Sequence, residues 1–324
     1  MHPAFSVIFL TTLIGAGQGL FLALFIVESL SIVDILPKQT GSFYATGSLL
    51  ALVFLVLGLF ASFFHLGRPE RAWRSATMWR TSWLSREVIM LPAFMFFLFL
   101  YMVYHYSVGD TVAVVAEHDG VRATVLAGIV GSILCVALYI CTGMIYACLK
   151  FLQEWHTPYT PINYILLGMM SGFTLAAVYA SLSSPQLSKF FAGWAAILIV
   201  TATIFRLASL ARNKRLKHKS TIKTALGVRH TKIRQTARGA MGGSFNTREF
   251  FHGKPPEFFN AVRWFFIMCA FVVPFLILLL SSSSESFILF SIALLVQYVG
   301  LLAERWFFFA QANHPQNLYY QSIS

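Results

Sequence analysis

Residues 65–87 read HLGRPERAWRSATMWRTSWLSRE, and they separate two strongly apolar segments. The stretch contains five arginines, two glutamates, one histidine and three tryptophans in 23 residues. Two interpretations of so much charge between apolar segments stay open. It is a basic loop that fixes topology and touches lipid headgroups, or it is a site at the membrane surface where protonatable groups meet a ligand that lives in the lipid.

The composition of the whole chain predicts an integral membrane protein. Of its 324 residues, 57% are hydrophobic and 11% are charged, whereas a soluble domain carries roughly 25% charged residues. A membrane-crossing helix needs about 20 apolar residues, and lipid forces each crossing segment to satisfy its own backbone. We therefore predict an all-α membrane domain over residues 1–324, a bundle of eight transmembrane helices at residues 5–30, 42–65, 86–107, 122–150, 161–182, 190–211, 262–281 and 286–310.

Glycines recur at helical spacing inside several of these segments. The first contains a GAGQG run, and the fifth has two glycines four residues apart. Small residues at such spacing allow helix backbones to approach closely in lipid. We expect helix–helix contacts at Gly15, Gly17 and Gly19, at Gly128 and Gly131, and at Gly168 and Gly172.

Positive charge is concentrated on one side of the predicted bundle. That side carries the arginines of the 65–87 loop and a long loop over residues 212–261 with twelve lysines or arginines. Cytoplasmic loops of membrane proteins are enriched in Lys and Arg. We therefore place this side, with both termini and the 65–87 loop, in the cytoplasm, in a multi-pass protein of the inner (cytoplasmic) membrane.

The loop over residues 212–261 lies outside the membrane and changes character along its length. It is basic as far as Arg238 and then becomes glycine-rich and aromatic. So many phenylalanines are unusual in a solvated linker, so the aromatic half is expected to pack on a partner protein or on the bundle. Nucleic-acid binding, the other interpretation of a basic run, does not suit a polytopic membrane protein.

Histidine and cysteine spacing does not predict a haem or metal site in this chain. The four cysteines form no CxxC pair, the spacing typical of iron–sulfur and zinc ligands. A bis-histidine haem needs histidines at membrane depth on facing helices. His65 and His105 end consecutive antiparallel helices, so they lie on opposite sides of the membrane.

A few ionisable or amide side chains fall within the apolar segments. For Arg206 and Arg305 we expect the side chains to extend to the membrane interface, and pairing of Glu304 with an arginine is the next interpretation. No continuous chain of acids crosses the bilayer, which argues against an ion pump. The set comprises Gln18, Glu28, Arg206, Gln297, Glu304 and Arg305.

The 65–87 stretch is the best candidate site. Gly67 is expected to end the second helix in a left-handed cap, Pro69 to begin a short surface helix, and Ser82 or Ser85 to cap the third helix. Glu87 then falls in the first turn of that helix, within reach of His65. A neutral histidine and a carboxylic acid at the bilayer edge would bind a quinone headgroup and exchange protons with it.

Two local motifs carry a resemblance to a known family. The first motif has two parts, His65-Leu66-Gly67-Arg68-Pro69 and Ser82-Trp83-Leu84-Ser85-Arg86-Glu87. The second motif is the segment SFNTREFFHG at residues 244–253. Together with eight apolar segments they resemble the DmsC family, the membrane anchor subunits of dimethyl-sulfoxide-reductase-type molybdoenzymes. The resemblance covers the whole chain.

The resemblance implies a non-catalytic anchor without haem or metal that binds a quinone, either ubiquinone or menaquinone. Its partners would be a four-cluster iron–sulfur subunit and a molybdopterin catalytic subunit, besides membrane lipid. By motif position it implies quinone-binding roles for His65 and Glu87. To these we add the neighbouring Gly67, Arg68, Arg71, Trp83 and Arg86 as candidate quinone-binding residues. Partner docking is expected at Arg74, Arg80, Arg248, Glu249, Phe250 and Phe251.

The predicted cytoplasmic position of the charged loops indicates a subtype. Anchors of exported enzymes would place these loops outside, so this chain resembles the SoeC-type anchor of a cytoplasmic sulfite-oxidising enzyme. Sulfite electrons would then reduce quinone. The alternatives are an anchor of a DMSO or other S- or N-oxide reductase that oxidises menaquinol and, in a different class, a secondary transporter with a polar site at the membrane midplane.

Overall fold

The computed structural model describes residues 1–108, 119–217, 221–230, 232–234, 252–281, 286–315 and 317. Within these ranges the chain forms long helices and no β-strand, as the composition predicts. Eight helices are long and apolar enough to cross a membrane. They are α1 (Phe5–Ile32), α2 (Gly41–Phe63), α3 (Trp83–Val108), α4 (Asp119–Ala147), α5 (Tyr159–Ser183), α6 (Pro185–Lys214), α7 (Pro256–Ser281) and α8 (Phe287–Gln311).

Helices α6 and α7 differ most from their predicted starts, since both begin well before their apolar segments. Helix α6 begins at Pro185 and α7 at Pro256, in place of residues 190 and 262. Proline suits the first turn of a helix because the N–H that it lacks has no partner there in any case. The loop between α6 and α7 is therefore shorter than the predicted 212–261, and its described part contains a short helix, Ile222–Leu226.

Helix α1 forms the centre of the bundle. Of its most apolar window, 72% is buried, against 28% for α2 and for α3. It packs chiefly against α2 and α5, and less extensively against α4 and α8. The side chains of α1 that contact neighbouring helices therefore lie in the interior of the protein and do not face the lipid.

The glycines of α1 and α5 form the closest helix contact. A Cβ atom added to Gly19 would lie 2.5 Å from the carbonyl oxygen of Gly168 and 2.9 Å from the Cα atom of Gly172. One on Gly15 would lie 3.3 Å from the Cα atom of Gly168. The two backbones thus touch at positions one turn apart, which confirms the helix contact that the glycine spacing predicts.

Candidate functional site

The chain leaves α2 through tight turns rather than through a left-handed cap. The N–H groups of Phe64 and His65 donate to the carbonyls of Ala61 and Ser62, at 3.3 and 3.2 Å. These bonds over three residues satisfy the last carbonyls of the helix. Gly67 does not have a positive φ, so the predicted left-handed cap at this residue is wrong.

A short 3₁₀ helix, Pro69–Ala76, follows at the protein surface and starts with proline as predicted. None of its residues is buried. Residues three apart are eclipsed in a 3₁₀ helix, so Arg71 and Arg74 lie on one face, with Arg68 just before it. The Nε atom of Arg71 lies 3.9 Å from a carboxylate oxygen of Glu70, in an exposed pair that contributes little to stability.

Three arginines of this surface lie over tryptophan rings. The distances from the guanidinium carbon to the ring centre are 5.5 Å for Arg74 on Trp73, 5.3 Å for Arg80 on Trp79 and 4.3 Å for Arg86 on Trp83. Arg86 also donates to the carbonyl oxygens of Trp79 and Arg80, at 3.0 and 2.8 Å. Its guanidinium therefore ties the preceding turn to α3, and no ion pair joins it to Glu87 among the described residues.

His65 lies at the surface, two residues beyond the end of α2. Partial burial lowers the pKa of its imidazole below the usual 6.5, so the ring is neutral at pH 7. In the described part of the chain, no hydrogen bond or ion pair links His65 to Glu87. The contact that we expected between these two side chains is therefore not formed.

Glu87 is directed instead towards α4. Ser82 precedes α3 and accepts a hydrogen bond from the N–H of Ser85 at 3.3 Å, which confirms one of the two predicted caps. Because the helix begins at Trp83, Glu87 falls in its second turn and not in the predicted first turn, and it is partly buried there. The hydroxyl of Thr142 on α4 donates to Glu87 Oε1. This bond fixes the orientation of the carboxyl group.

A small cavity of about 10 Å³ lies beside the carboxyl group of Glu87, enough for roughly one water molecule. Helices α1, α3, α4 and α5 enclose it. Tyr139 donates to the carbonyl oxygen of Gly15 at 2.7 Å, and the amide of Gln18 donates to that of Cys135 at 2.9 Å. The lining residues are Leu10, Thr11, Ile14, Gly15, Gln18, Glu87, Tyr139, Thr142 and Tyr164.

The deep arginines form a buried ionic cluster near the same end of the bundle. Arg206 Nε lies 2.7 Å from Glu304 Oε1, and Arg305 Nε lies 3.5 Å from Glu304 Oε2. All three residues are at most 3% exposed. The expectation that Arg206 and Arg305 extend to the interface is therefore wrong, because Glu304 gives them a partner inside the protein. The pairing of Glu304 with an arginine is confirmed.

A second buried pair lies near the other end of α3. His105 Nε2 is 3.2 Å from Glu28 Oε1, and both side chains are at most 1% exposed. The rings of Tyr44 and Tyr101 lie 4.7 and 4.4 Å from the imidazole. His105 and Glu87 are 18 residues apart, five helical turns, so they lie on one face of α3.

Four of the predicted docking residues, Arg248, Glu249, Phe250 and Phe251, lie outside the described residues. Just after them, the ring of His252 stacks on Phe259 at 5.6 Å, and Phe259 stacks on Phe307 of α8 at 4.3 Å. Burial lowers the pKa of His252. The described end of the aromatic segment therefore folds back on the bundle, one of its two expected positions.

The sequence did not point to several residues beside Glu87. Thr142, Tyr139 and Tyr164 are polar side chains in apolar helices, but which of them meet Glu87 depends on how α3, α4 and α5 pack. Their polarity within apolar segments is the one feature of the sequence that could have indicated a site there. Of the side chains that line the cavity, Gln18 does belong to the predicted set of intramembrane polar residues.

Comparisons with known proteins identify the family of this chain. The family model for the DMSO reductase anchor subunit, DmsC, matches residues 1–320. The chain therefore belongs to the DmsC family, which confirms the resemblance drawn from its motifs. Among individual proteins, it is similar to a sulfite dehydrogenase subunit of Allochromatium vinosum, with 54% identity over 325 residues and all of both chains covered.

Membership of this family establishes the general role of the chain. It is a multi-pass membrane anchor subunit of a DMSO-reductase-family complex and a homologue of that sulfite dehydrogenase subunit. The role of an anchor subunit is non-catalytic. An anchor subunit also implies partner subunits in the complex, and one of them is catalytic.

Proposed function

We propose that this anchor binds a quinone at the surface formed by residues 65–87 and passes to it electrons from an iron–sulfur subunit. A molybdopterin subunit would oxidise sulfite and supply those electrons. The observation that carries the proposal is Glu87, a carboxyl group held by Thr142 between an exposed basic surface and an internal water-sized cavity. The similarity to a sulfite dehydrogenase subunit supports sulfite as the substrate of the catalytic partner.

The residues present fit a quinone headgroup on the surface of residues 65–87, outside the cavity rather than inside it. A volume of about 10 Å³ is too small for a ring and suits roughly one water molecule. Outside it, the side chain of Trp83 is partly exposed and that of Trp79 is exposed, at the level where tryptophans meet the membrane interface. Arg68 and Arg71 are also exposed there and can donate hydrogen bonds to a carbonyl oxygen.

When bound, the quinone takes up two electrons and two protons and becomes a quinol. Thr142 donates to Glu87 Oε1, which leaves Oε2 as the atom that carries and delivers a proton. The internal cavity can hold a water next to that carboxyl group. His65, neutral at pH 7 and exposed, can take a second proton from the aqueous side. The two groups then act separately, since no contact joins them.

The basic surface of the 65–87 loop also suits the docking of the partner subunits. Arg74 and Arg80 are exposed, and exposed cations attract an acidic face of another protein. We place the docking site here and on the segment that contains Arg248 to Phe251. Crosslinks from position 74 or 80 to the iron–sulfur subunit would support this placement, and their absence from an assembled complex would contradict it.

The substitution Glu87→Gln tests the proton-exchange role. It keeps the size of the side chain and removes the acidic proton, so the complex should assemble while quinone turnover falls by about 100-fold or more. Turnover is measured with sulfite and a soluble quinone in membranes with quantified complex. Glu70→Gln is the matched control, an exposed acid of the same loop, and should leave turnover unchanged. Equal turnover in the two variants would exclude Glu87 from the chemistry.

Two other functions give different results in the same preparation. An S- or N-oxide reductase anchor would show quinol oxidation when such an oxide is added, with no sulfite activity. A secondary transporter would move solute without any partner subunit. Its expected broken helix is not found at the glycine run of α1, which is a continuous helix over Phe5–Ile32 packed on α5.

A further inference from the structure

The cavity beside Glu87 adjoins a second one that leads to the buried ionic cluster. Each has a volume of about 10 Å³, room for roughly one water molecule. Thr11 and Tyr164 line both. The second cavity is bounded by Thr11, Thr12, Tyr164, Leu167, Gly168, Ser171, Leu301 and Arg305. Two water-sized spaces therefore separate the carboxyl group of Glu87 from the guanidinium group of Arg305.

Among the residues that the structure describes, the cluster of Arg206, Glu304 and Arg305 carries one more positive charge than its internal pairing requires. Arg206 at 2.7 Å is the closer partner of Glu304, and Arg305 lies at 3.5 Å. Two guanidinium groups, which stay charged in proteins, face one carboxylate. Because ionisable groups inside a membrane are costly and mark functional positions, the additional charge of Arg305 calls for a role beyond holding α6 to α8.

Tyr164 joins this charge to the cavities. The guanidinium carbon of Arg305 lies 3.8 Å from the centre of the Tyr164 ring. The Tyr164 hydroxyl is buried beside that of Tyr146, with which it interacts, and it forms no hydrogen bond of good geometry with the described protein atoms. Buried hydroxyl groups without a protein partner are commonly bonded to internal water. The hydroxyl thus lies where a water in either cavity can reach it.

We propose that Arg305 is a positioning residue for Glu87. Through Tyr164 and one water in each cavity, it supplies the positive charge that stabilises the Glu87 carboxylate after Glu87 has given its proton to the reduced quinone. This inference rests on the proposed function for the quinone and deepens it. The proton that leaves Glu87 is replaced from the aqueous side, and the electrons come from the iron–sulfur subunit, so Arg305 changes only the free energy of the ionised form.

Other groups also face Glu87, and they contribute to the free energy of its ionisation together with Arg305. Arg86 is its neighbour on α3, and α1 contributes only the uncharged Thr11 and Gln18. The titratable groups of the packed helices are Tyr139, Cys141 and Tyr146 on α4 and Tyr164 on α5. Beyond the cavities, Arg305 provides a positive charge that Glu304, paired more closely with Arg206, does not balance.

Infrared titration of the purified complex tests the inference without using turnover. The carboxyl band of Glu87 is identified by its loss in Glu87→Gln. Arg305→Gln should move the midpoint of that band upward by about one pH unit, while Arg305→Lys, which keeps the charge, should leave it close to the wild-type value. Arg212→Gln is the matched control, since Arg212 donates to the carbonyl of Gln153 away from both cavities, and should cause no shift.

Tyr164→Phe gives a second, milder variant. It removes only the hydroxyl group and keeps the ring against Arg305, so a smaller upward shift is expected, and it decides the matter if Arg305→Gln does not assemble. An unchanged midpoint in the assembled variants would overturn the inference while leaving the proposed function intact. Wild-type quinone turnover in Glu87→Gln would instead overturn the proposed function, whatever the midpoint does.

Discussion

Glu28 and His105 show the cost of placing ionisable groups inside a membrane protein. Their side chains are at most 1% exposed and 3.2 Å apart, between the rings of Tyr44 and Tyr101. An isolated charge there would lose its hydration without compensation. Burial of each residue is therefore compensated mainly by its contact with the other. The pair also links α1 to α3.

Removing one member of this pair should destabilise the protein. His105→Leu leaves Glu28 buried without its partner, at a cost of about 3–5 kcal/mol, so the amount of folded protein and its melting temperature should fall. The double variant Glu28→Leu with His105→Leu removes both groups and should recover much of the loss. A single variant as stable as the wild type would show that the pair contributes nothing.

At this scale the sequence predicts which residues are unusual, and the structure supplies their partners. Glu87 could be singled out as an acid at the start of an apolar segment, but its partner Thr142 lies 55 positions away. Arg305 was expected to extend to the interface, because nothing local shows that Arg206 on another helix shares Glu304 with it. Pairing across helices depends on packing, which a single sequence does not display.

Among the elements, α1 and α5 depend on glycine most directly. A Cβ atom on Gly172 would overlap the backbone of Gly19, and backbone atoms cannot move aside as a flexible side chain can. In lipid, helices associate through close packing rather than through burial from water. The contact also sets the walls of both cavities, since α1 and α5 contribute Thr11 and Tyr164 to each.

The substitution Gly172→Ala should separate these helices. Overpacking of this kind typically costs about 1–3 kcal/mol, so less folded complex and a lower melting temperature are expected. Gly193→Ala on α6 is the matched control, because a Cβ atom there would have nothing within 4 Å; it should be neutral or slightly stabilising. Equal effects of the two substitutions would contradict the close α1–α5 contact.

The elements themselves were largely predictable because apolar length is a strong signal. Their ends were less so, since α6 and α7 begin with proline-led turns at Pro185 and Pro256, upstream of the most apolar residues. The prediction of a left-handed cap at Gly67 was wrong because it also concerned the end of a helix, where the local sequence allows more than one conformation. Glycine permits that conformation but does not require it, and tight turns had already satisfied the carbonyls of α2.

For the whole molecule, the proposed quinone site and the cluster of Arg206, Glu304 and Arg305 share one end of the bundle. Helices α1, α3 and α5 begin there, and α6 and α8 end there, while the Glu28–His105 pair lies near the opposite end. The basic loops belong to the first end, and enrichment in Lys and Arg marks the cytoplasmic side. We therefore propose that protons and electrons both reach the quinone from the cytoplasm.

Reporter fusions test this orientation. A reporter that is active only in the cytoplasm should be active when fused after Ser324, and one that is active only outside should be silent there. A fusion within the loop between α1 and α2 should give the opposite pattern and serves as the control. Activity outside the cytoplasm for the first fusion would invert the topology and remove the main support for a cytoplasmic enzyme.

The most direct test of the central claim, a quinone-binding anchor of a molybdoenzyme, is purification of the chain from its native membranes in mild detergent. Mass spectrometry then identifies what accompanies it. We predict an iron–sulfur subunit, a molybdopterin subunit and a bound quinone in stoichiometric amounts. A chain that is purified alone and without quinone would contradict the claim and leave residues 65–87 as a loop that only fixes topology.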